Sequence, residues 1–277
     1  MLRKSIGCAT LSAGAQGADR DRVRGTRRRT SPRLAGTRAR GWGGWQVRDT
    51  LRQIEGEVIA CRVCPRLVEH RERVAREKRR AYRECPYWGR PVPAFGGASA
   101  RLILVGLAPG AHGSNRTGRM FTGDASGETL FAALHCHGFA SRPRSLARDD
   151  GLRLTDCFIT AAVRCAPPGN KPDRAEFAAC RPFLRRELAL LRRGRIFVAL
   201  GRLAYDALLE AFGDLGWPLA QPRPRFAHGA LHACAGGRRA LLCSYHPSRQ
   251  NTQTGRLTPE MFDGIFGHAR RLLDREA

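Results

Sequence analysis

The chain has 277 residues, enough for one sizeable α/β core or for two smaller domains. Its 49 lysines and arginines against 24 acidic residues give a formal net charge of +25 with histidine counted as neutral. This excess points to a polyanionic partner, most simply nucleic acid. No apolar run approaches the roughly 20 residues that span a bilayer, and no basic helix has the broad apolar face of a membrane-surface helix. Both observations argue against a membrane protein.

The ten cysteines, in a chain of this length, do not form the pattern of a small secreted disulfide scaffold. No apolar stretch near the amino terminus has the character of a secretory signal peptide. We therefore expect a reducing compartment, namely the cytoplasm.

Residues 1–46 differ in composition from the rest of the chain. They hold ten arginines and one lysine against two aspartates, without a helical or strand period. Such a segment cannot bury enough apolar surface to order itself. We predict a disordered Arg-rich tail over residues 1–46 and a folded domain over residues 47–277. Three origins fit the tail: a non-specific DNA-binding segment, an extension from an upstream start codon, or an organellar transit peptide.

The folded part begins with two predicted helices, over residues 47–58 and 66–83, and the second of them is strongly basic. Further along, strands near residues 101–105, 157–163, 195–200 and 240–244 alternate with helices near residues 125–137, 174–192, 202–213 and 259–274. Strands that alternate with helices indicate a parallel sheet with helices on both faces.

Three of the predicted strands lead directly into loops rich in glycine, proline and polar residues. Gly106–Gly110 follows the first strand, Arg164–Pro172 follows the second, and Tyr245–Ser248 follows the last. Because the carboxyl ends of parallel strands meet at one edge of a sheet, these loops should converge on a single crevice. A lone histidine is more often a satisfied core residue, but the position of His246 in this group of loops predicts a functional role.

Four of the cysteines have a spacing that suits a metal. Cys61 and Cys64 form a C-x2-C pair between the first two helices, and Cys165 and Cys180 form a C-x14-C pair about a hundred residues later. Four thiolates from two distant segments fit a tetrahedral zinc site and a [4Fe–4S] cluster equally well. The spacing does not choose between the two.

Taken together, several blocks of the sequence resemble the uracil-DNA glycosylase superfamily, most closely its family 5, the type B enzymes of bacteria and archaea. The matching blocks are Cys61–Leu67, Trp88–Pro93, Gly106–Gly113, Asn115–Asp124, Val163–Pro172 and His246–Gly255. They occur in the family's order and cover nearly everything from about residue 50 onward. The resemblance implies an α/β fold, a three-layer αβα sandwich around a four-stranded parallel sheet. It also implies a structural [4Fe–4S] cluster on Cys61, Cys64, Cys165 and Cys180.

The resemblance further implies an enzyme that flips uracil out of DNA and hydrolyses its glycosidic bond, leaving an abasic site. His246 would stabilise the departing base anion, with His112 as the competing histidine. Ala108 stands where the best-known member carries an aspartate, so water placement would fall to Asn170 or to Asn115. Phe121 would stack on the flipped base.

The same resemblance predicts the remaining substrate contacts. The first loop would approach base and sugar closely through its small residues, over the stretch Gly106, Leu107, Ala108, Pro109 and Gly110. The polar loop of residues 248–256 would enter the minor groove, with Ser248, Arg249 and Gln250 contacting DNA and one of the last two acting as the wedge.

We expect the partner to be double-stranded or single-stranded DNA that contains uracil or another deaminated base such as hypoxanthine. The protein would be a monomer in the bacterial cytoplasm, associated with the nucleoid through DNA. A rival prediction is a non-catalytic DNA-binding iron–sulfur or zinc protein. A nucleotide-binding α/β enzyme fits less well, because the first loop lacks a phosphate-cradling glycine pattern.

Overall fold

The computed structural model describes residues 49–219, 222, 224–234 and 236–275. The predicted tail of residues 1–46 lies outside these ranges. The predicted start of the folded domain at residue 47 also lies outside them, and the compact unit begins at Asp49.

A single twisted sheet of six strands organises the described residues, in the spatial order β1-β3-β2-β4-β6-β5. The strands are β1 (Phe95–Gly96), β2 (Leu102–Gly106), β3 (Cys157–Ala161), β4 (Ile196–Leu200), β5 (Leu231–Ala233) and β6 (Ala240–Ser244). The four central strands pair in parallel and are the four that the sequence predicts. The prediction of a four-stranded sheet misses the two edge strands, which are antiparallel and only two and three residues long.

Eight α-helices connect and flank these strands within the described ranges. They are α1 (Leu51–Ala60), α2 (Pro65–Glu77), α3 (Ser114–Thr117), α4 (Ala125–Cys136), α5 (Arg174–Leu190), α6 (Arg202–Asp214), α7 (Arg249–Gln253) and α8 (Pro259–Asp274). None of them is long and apolar enough to cross a membrane.

Two helical predictions need correction. The basic helix predicted to reach residue 83 ends at Glu77, because Lys78 adopts a left-handed backbone with φ of 52° that no regular helix tolerates. The polar loop predicted after Ser248 contains the short helix α7. Its amino terminus is capped by the Ser248 hydroxyl, which accepts from the Asn251 backbone N–H at 3.4 Å.

The sheet separates two hydrophobic cores, as the predicted sandwich requires. Alternate residues of the central strand β2 point to opposite faces, with Leu102 and Leu104 in one core and Ile103 and Val105 in the other. Helices α4 and α8 cover the first face through side chains such as Phe131 and Phe266, and α5 and α6 cover the second through Leu188 and Phe212. The three-layer αβα architecture is therefore confirmed, and every parallel strand is buried along most of its length.

A buried ion pair fixes the segment that leads from the first loop to α4. Arg119, only 4% exposed, donates from both terminal nitrogens to the two carboxylate oxygens of Asp150, at 2.9 and 2.6 Å. It also donates to the hydroxyls of Thr122 and Ser145. Burial alone would raise the pKa of Asp150. The hydrogen bonds from Arg119 and from nearby backbone N–H groups instead hold it well below its usual range.

We predict that Asp150→Asn lowers the free energy of unfolding at pH 7 by about 3–5 kcal/mol, because it leaves the buried Arg119 charge uncompensated. A carboxylate with a depressed pKa in the folded state stabilises the fold above its unfolded pKa, about 3.9. That stabilisation is lost as the pH falls through the folded value. The difference between wild type and variant should therefore be constant near neutral pH and shrink below about pH 4.

Urea denaturation at pH 7 and at several values between pH 5 and 3 measures this difference. Asp214→Asn is the matched control, because that carboxylate is partly exposed and lies 3.5 Å from Arg181. It should change stability by less than about 1 kcal/mol. Equal effects of the two substitutions at pH 7 would contradict the prediction.

Candidate functional site

The loops after β2, β3 and β6 meet at the carboxyl edge of the sheet, as the parallel topology predicts. The pairing of β2 with β3 continues past the strand ends, since Ala162 N–H donates to Gly106 O and Val163 N–H donates to Leu107 O, both at 2.9 Å. On the other side, the Gly201 N–H donates to Ser244 O at 2.8 Å. The first two bonds join the loops after β2 and β3, and the third joins the residue after β4 to the end of β6.

His246 and Phe121 face each other across this edge. Their ring centroids lie 5.9 Å apart and their planes are inclined by 30°. His246 lines a cavity of about 270 Å³ together with Leu107, Tyr245 and Asn251. Burial lowers the pKa of His246 to about 4. The imidazole is therefore neutral near pH 7, with one ring nitrogen that donates and one that accepts.

The backbone of His246 is held by Asn251 and Ser248, and sequence analysis assigned a role only to Ser248. The Asn251 side chain donates from Nδ2 to His246 O at 2.8 Å, and the Ser248 N–H donates to the same oxygen at 2.8 Å. Asn251 in turn accepts from the Leu257 N–H. Short helix α7 thus fixes the backbone of His246, and sequence analysis missed this contact because the pattern predicted a loop there.

Phe121 occupies its position only because the neighbouring strand ends in glycine. A Cβ atom on Gly106 would lie 2.8 Å from the Phe121 ring, closer than real contacts allow. Phe121 itself has a φ of 51°, a left-handed conformation that costs a bulky residue about 1–3 kcal/mol. The ring is buried against the sheet end, with 8% of the residue exposed. Packing against Gly106 therefore holds a strained backbone in place.

Asp124 is a carboxylate at the first loop that the sequence analysis did not assign. Its Oδ1 accepts from the Gly127 N–H at 2.9 Å and caps α4, while its Oδ2 packs directly against Gly113 and close to Gly110. Burial raises the pKa of Asp124. Its position after Thr122–Gly123 and before a helix is typical of a capping residue, which concealed its proximity to the first loop.

The two predicted asparagines lie in different environments. Asn170 is exposed, in the tight turn Pro168–Asn170, with a left-handed φ of 58°. Asn115 is fully buried; its Nδ2 donates to Arg71 O at 3.2 Å, and its Oδ1 has no hydrogen-bond partner. The competing histidine, His112, has its Nδ1 3.0 Å from the Tyr87 hydroxyl. Asn115 and His112 therefore both contact neighbouring protein groups.

The other residues predicted to contact the substrate differ in their exposure to solvent. Leu107, Ala108 and Gly110 are partly exposed along the first loop, whereas Pro109 is buried. Arg249 and Gln250 are exposed at the start of α7. Their side chains are therefore available to a partner that approaches this edge.

The four predicted metal ligands surround one small cavity. Cys61 and Cys64 lie between α1 and α2, Cys165 lies in the loop after β3, and Cys180 lies in α5. Leu67 and Val163 pack beside them. Burial raises the pKa of the Cys165 thiol to about 12 and that of the Cys180 thiol to about 11. A bound cation would reverse this effect, because it stabilises thiolates.

Polar groups around this cavity fit an anionic metal–thiolate group. Arg71 and Arg164 are 2% and 1% exposed, and both approach the cysteines. Arg71 Nε and both Nε and Nη1 of Arg164 are buried without a hydrogen-bond partner. Unpartnered buried guanidinium donors are costly unless an anion lies near them. The residues present therefore suit a group that keeps the four sulfurs as thiolates.

Comparison with known proteins agrees, over most of the chain, with the family that the sequence blocks resemble. The family model described as the uracil DNA glycosylase superfamily matches residues 93–270. A type-5 uracil-DNA glycosylase from Thermus thermophilus is 57% identical over 215 residues, 78% of this chain and 94% of that protein. Type-5 enzymes from Mycobacterium leprae and Pyrobaculum aerophilum are 50% and 47% identical, over 80% and 76% of this chain and 96% and 88% of their own lengths. The chain belongs to the uracil-DNA glycosylase superfamily.

Proposed function

We propose that this protein is a DNA-repair uracil-DNA glycosylase that hydrolyses the bond between uracil and deoxyribose. The observation that carries the proposal is the facing pair of His246 and Phe121 beside a cavity at the carboxyl edge of the sheet. The type-5 relatives, whose names state this activity, support it. A base inside a duplex cannot be reached, so the enzyme must extrude the nucleotide into this cavity.

His246 acts on the departing base. As the C1′–N1 bond breaks, its electron pair passes to the uracil ring and negative charge builds on the base oxygens. A neutral imidazole N–H aimed at the O2 position stabilises that charge without first having to lose a proton. Phe121 supports the flipped base from the side of β2.

A water molecule must lie on the opposite face of the sugar. Its oxygen bonds to C1′, and its proton passes to a basic side chain of the protein or to solvent. Ala108 offers no polar group for this task. We assign it to Asp124, whose Oδ2 packs against the first-loop glycines, together with Asn170 from the next loop. The raised pKa of Asp124 suits a group that takes up a proton.

The metal group is proposed to be a [4Fe–4S] cluster on Cys61, Cys64, Cys165 and Cys180. Thiolates on a single tetrahedral zinc ion lie about 3.8 Å apart, given a zinc–sulfur bond of about 2.3 Å. Among the described residues, the group within 4.8 Å of one another is Cys136, His137 and Asp263, and no three of these four cysteines form another. The wider separation favours a cluster. When bound, it joins the α1–α2 connection, the loop after β3 and α5.

DNA binding follows from charge and exposure. The net charge of +25 supports phosphate contacts whose strength falls with salt, and Arg249 or Gln250 is positioned to act as the wedge. We extend the proposal to single-stranded and double-stranded substrates, to hypoxanthine, and to a monomer in the cytoplasm associated with the nucleoid through DNA. Residues 1–46 are proposed to add affinity without contributing to catalysis.

We predict that His246→Ala slows uracil excision by roughly a hundred- to a thousandfold, because one preorganised donor is lost, while DNA affinity stays nearly unchanged. Single-turnover cleavage of a uracil oligonucleotide followed by alkali measures the chemical step. His112→Ala is the control and should stay near the wild-type rate, since His112 contacts Tyr87. Wild-type protein that binds the oligonucleotide without excising uracil would refute the proposed glycosylase activity and favour a non-catalytic DNA-binding protein.

The second catalytic prediction concerns Asp124. Asp124→Asn keeps an oxygen that can accept from Gly127 and should preserve the fold, but it should slow the chemical step about a hundredfold or more. Glu128→Gln, an exposed carboxylate in the first turn of the same helix, should have no such effect. A wild-type rate for Asp124→Asn would leave water placement to Asn170, which Asn170→Ala tests in the same assay.

The cofactor prediction is that pure protein is brown and contains iron and sulfide in equal amounts. Alanine substitution of Cys61, Cys64, Cys165 or Cys180 should lower both the iron content and the thermal stability, because metal binding is coupled to folding. Cys85→Ala, at a cysteine outside the cavity lining, should leave both unchanged. Wild-type protein that contains zinc and no iron would contradict the cluster.

A further inference from the structure

Two of the largest fully buried side chains in the described part of the protein are arginines, Arg71 and Arg164. A buried guanidinium is costly unless an anion and enough hydrogen-bond acceptors surround it. Both residues lie at the cysteine cavity, and both have buried guanidinium nitrogens without a hydrogen-bond partner.

Arg71 reaches the cavity from α2. Its Nη1 donates to the sulfur of Cys165 at 3.1 Å, and both terminal nitrogens lie 3.3 Å from Cys61 O. Its Nε has no partner. The nearest carboxylate oxygen in an ion pair with it belongs to the partly exposed Glu72, at 3.7 Å. The protein therefore offers this buried charge only weak compensation.

Arg164 is adjacent to Cys165 in the loop after β3. Its Nη2 donates to Glu187 Oε2 at 2.5 Å, and that oxygen also accepts from the Thr160 hydroxyl at 2.7 Å. Nε and Nη1 of Arg164 have no partner. One buried carboxylate, already shared with a hydroxyl, thus leaves most donors of Arg164 unsatisfied.

Arg71 also connects the cavity to the first loop. Its backbone oxygen accepts from Asn115 Nδ2 at 3.2 Å. The Asn115 backbone N–H donates to Gly110 O at 3.0 Å, and its Nδ2 lies 3.4 Å from Ala111 O. Asn115 is fully buried, and these bonds join it to the first loop. Arg71 therefore contacts the proposed metal ligand Cys165 through its side chain. Through its backbone oxygen it contacts Asn115, which is bonded to the first loop.

We propose that Arg71 and Arg164 are the charge partners of the cluster, and that Arg71 with Asn115 couples occupancy of that site to the order of the first loop. The inference rests on the proposed cofactor. A cluster with four thiolates would supply the close anion that Arg71 lacks and further acceptors for Arg164. The satisfied guanidinium then fixes one turn of α2, and through Asn115 it fixes the backbone that faces the base. Asn115 is accordingly a positioning residue.

The charge half is tested by the midpoint potential of the cluster in the holoprotein. Nearby positive charge and hydrogen bonds to sulfur favour the reduced, more negative cluster. Arg71→Gln and Arg164→Gln should each lower the potential and speed cluster loss to a chelator several-fold. Arg71→Lys, which keeps the charge, should recover most of the potential. Arg73→Gln, about half exposed on the same helix, is the matched control and should match wild type.

The coupling half is tested by hydrogen exchange of residues 106–118 in the same holoproteins. Asn115→Ala should speed exchange in this segment and slow excision while leaving the midpoint potential unchanged, because Asn115 does not contact sulfur. Arg71→Gln should speed the same exchange and lower the potential as well. Arg73→Gln should do neither.

Two results separate the possible failures. Wild-type protein without iron would refute the cofactor and this inference with it. A loaded cluster whose potential is the same in Arg71→Gln, Arg164→Gln and wild type, or a loop whose exchange does not respond to Asn115→Ala, would refute this inference alone.

Discussion

The extension of β2–β3 pairing beyond the ends of both strands is the constraint on which the rest of the site depends. Two backbone hydrogen bonds, from Ala162 to Gly106 and from Val163 to Leu107, join the first loop to the segment that carries Arg164 and Cys165. A parallel ladder fixes the register of both strands, so the two loops cannot shift independently. The proposed base pocket and the cysteine cavity therefore share one backbone frame.

Within this frame, the backbone conformation and contacts of the two proposed catalytic residues, Phe121 and His246, hold them in place. Phe121 keeps a left-handed backbone, and the absence of a Cβ on Gly106 gives its ring a place to pack. His246 is held through its carbonyl by Asn251 and Ser248. Preorganised groups of this kind stabilise developing charge without reorganising during the reaction. Burial keeps the imidazole neutral, which suits the proposed role of a donor that stabilises the base anion without fully protonating it.

The sequence predicts the features that depend on periodicity and on strand ends. The four central strands and the long helices follow from the alternation of apolar runs, and the convergence of Gly106, Arg164 and Tyr245 follows from parallel topology. Edge strands such as Phe95–Gly96 are too short to leave a periodic signal. Lys78 ends α2 through its backbone conformation, which its residue type does not indicate.

The site shows the same division. His246 is a predicted site residue because it follows a strand and precedes a proline, and the four cysteines are predicted metal ligands because of their spacing. Asp124 is concealed because a carboxylate before a helix is normally read as a cap. Asn115 is a candidate as a polar residue shortly after the first loop, but only three-dimensional contacts show that it lies in α3 against Arg71 and Ala111. Tertiary contacts therefore decide which polar residues line the cavity, as Asn251 does, and which pack elsewhere along the loops.

The role of His246 as an uncharged donor is tested most directly by nitrogen NMR of histidine-labelled protein in complex with abasic DNA and uracil. At pH 7 we expect the His246 imidazole to be neutral, with one protonated nitrogen hydrogen-bonded to the base, because burial lowers its pKa to about 4. A doubly protonated His246 in that complex at pH 7, or a neutral ring with no bond to uracil, would contradict this role.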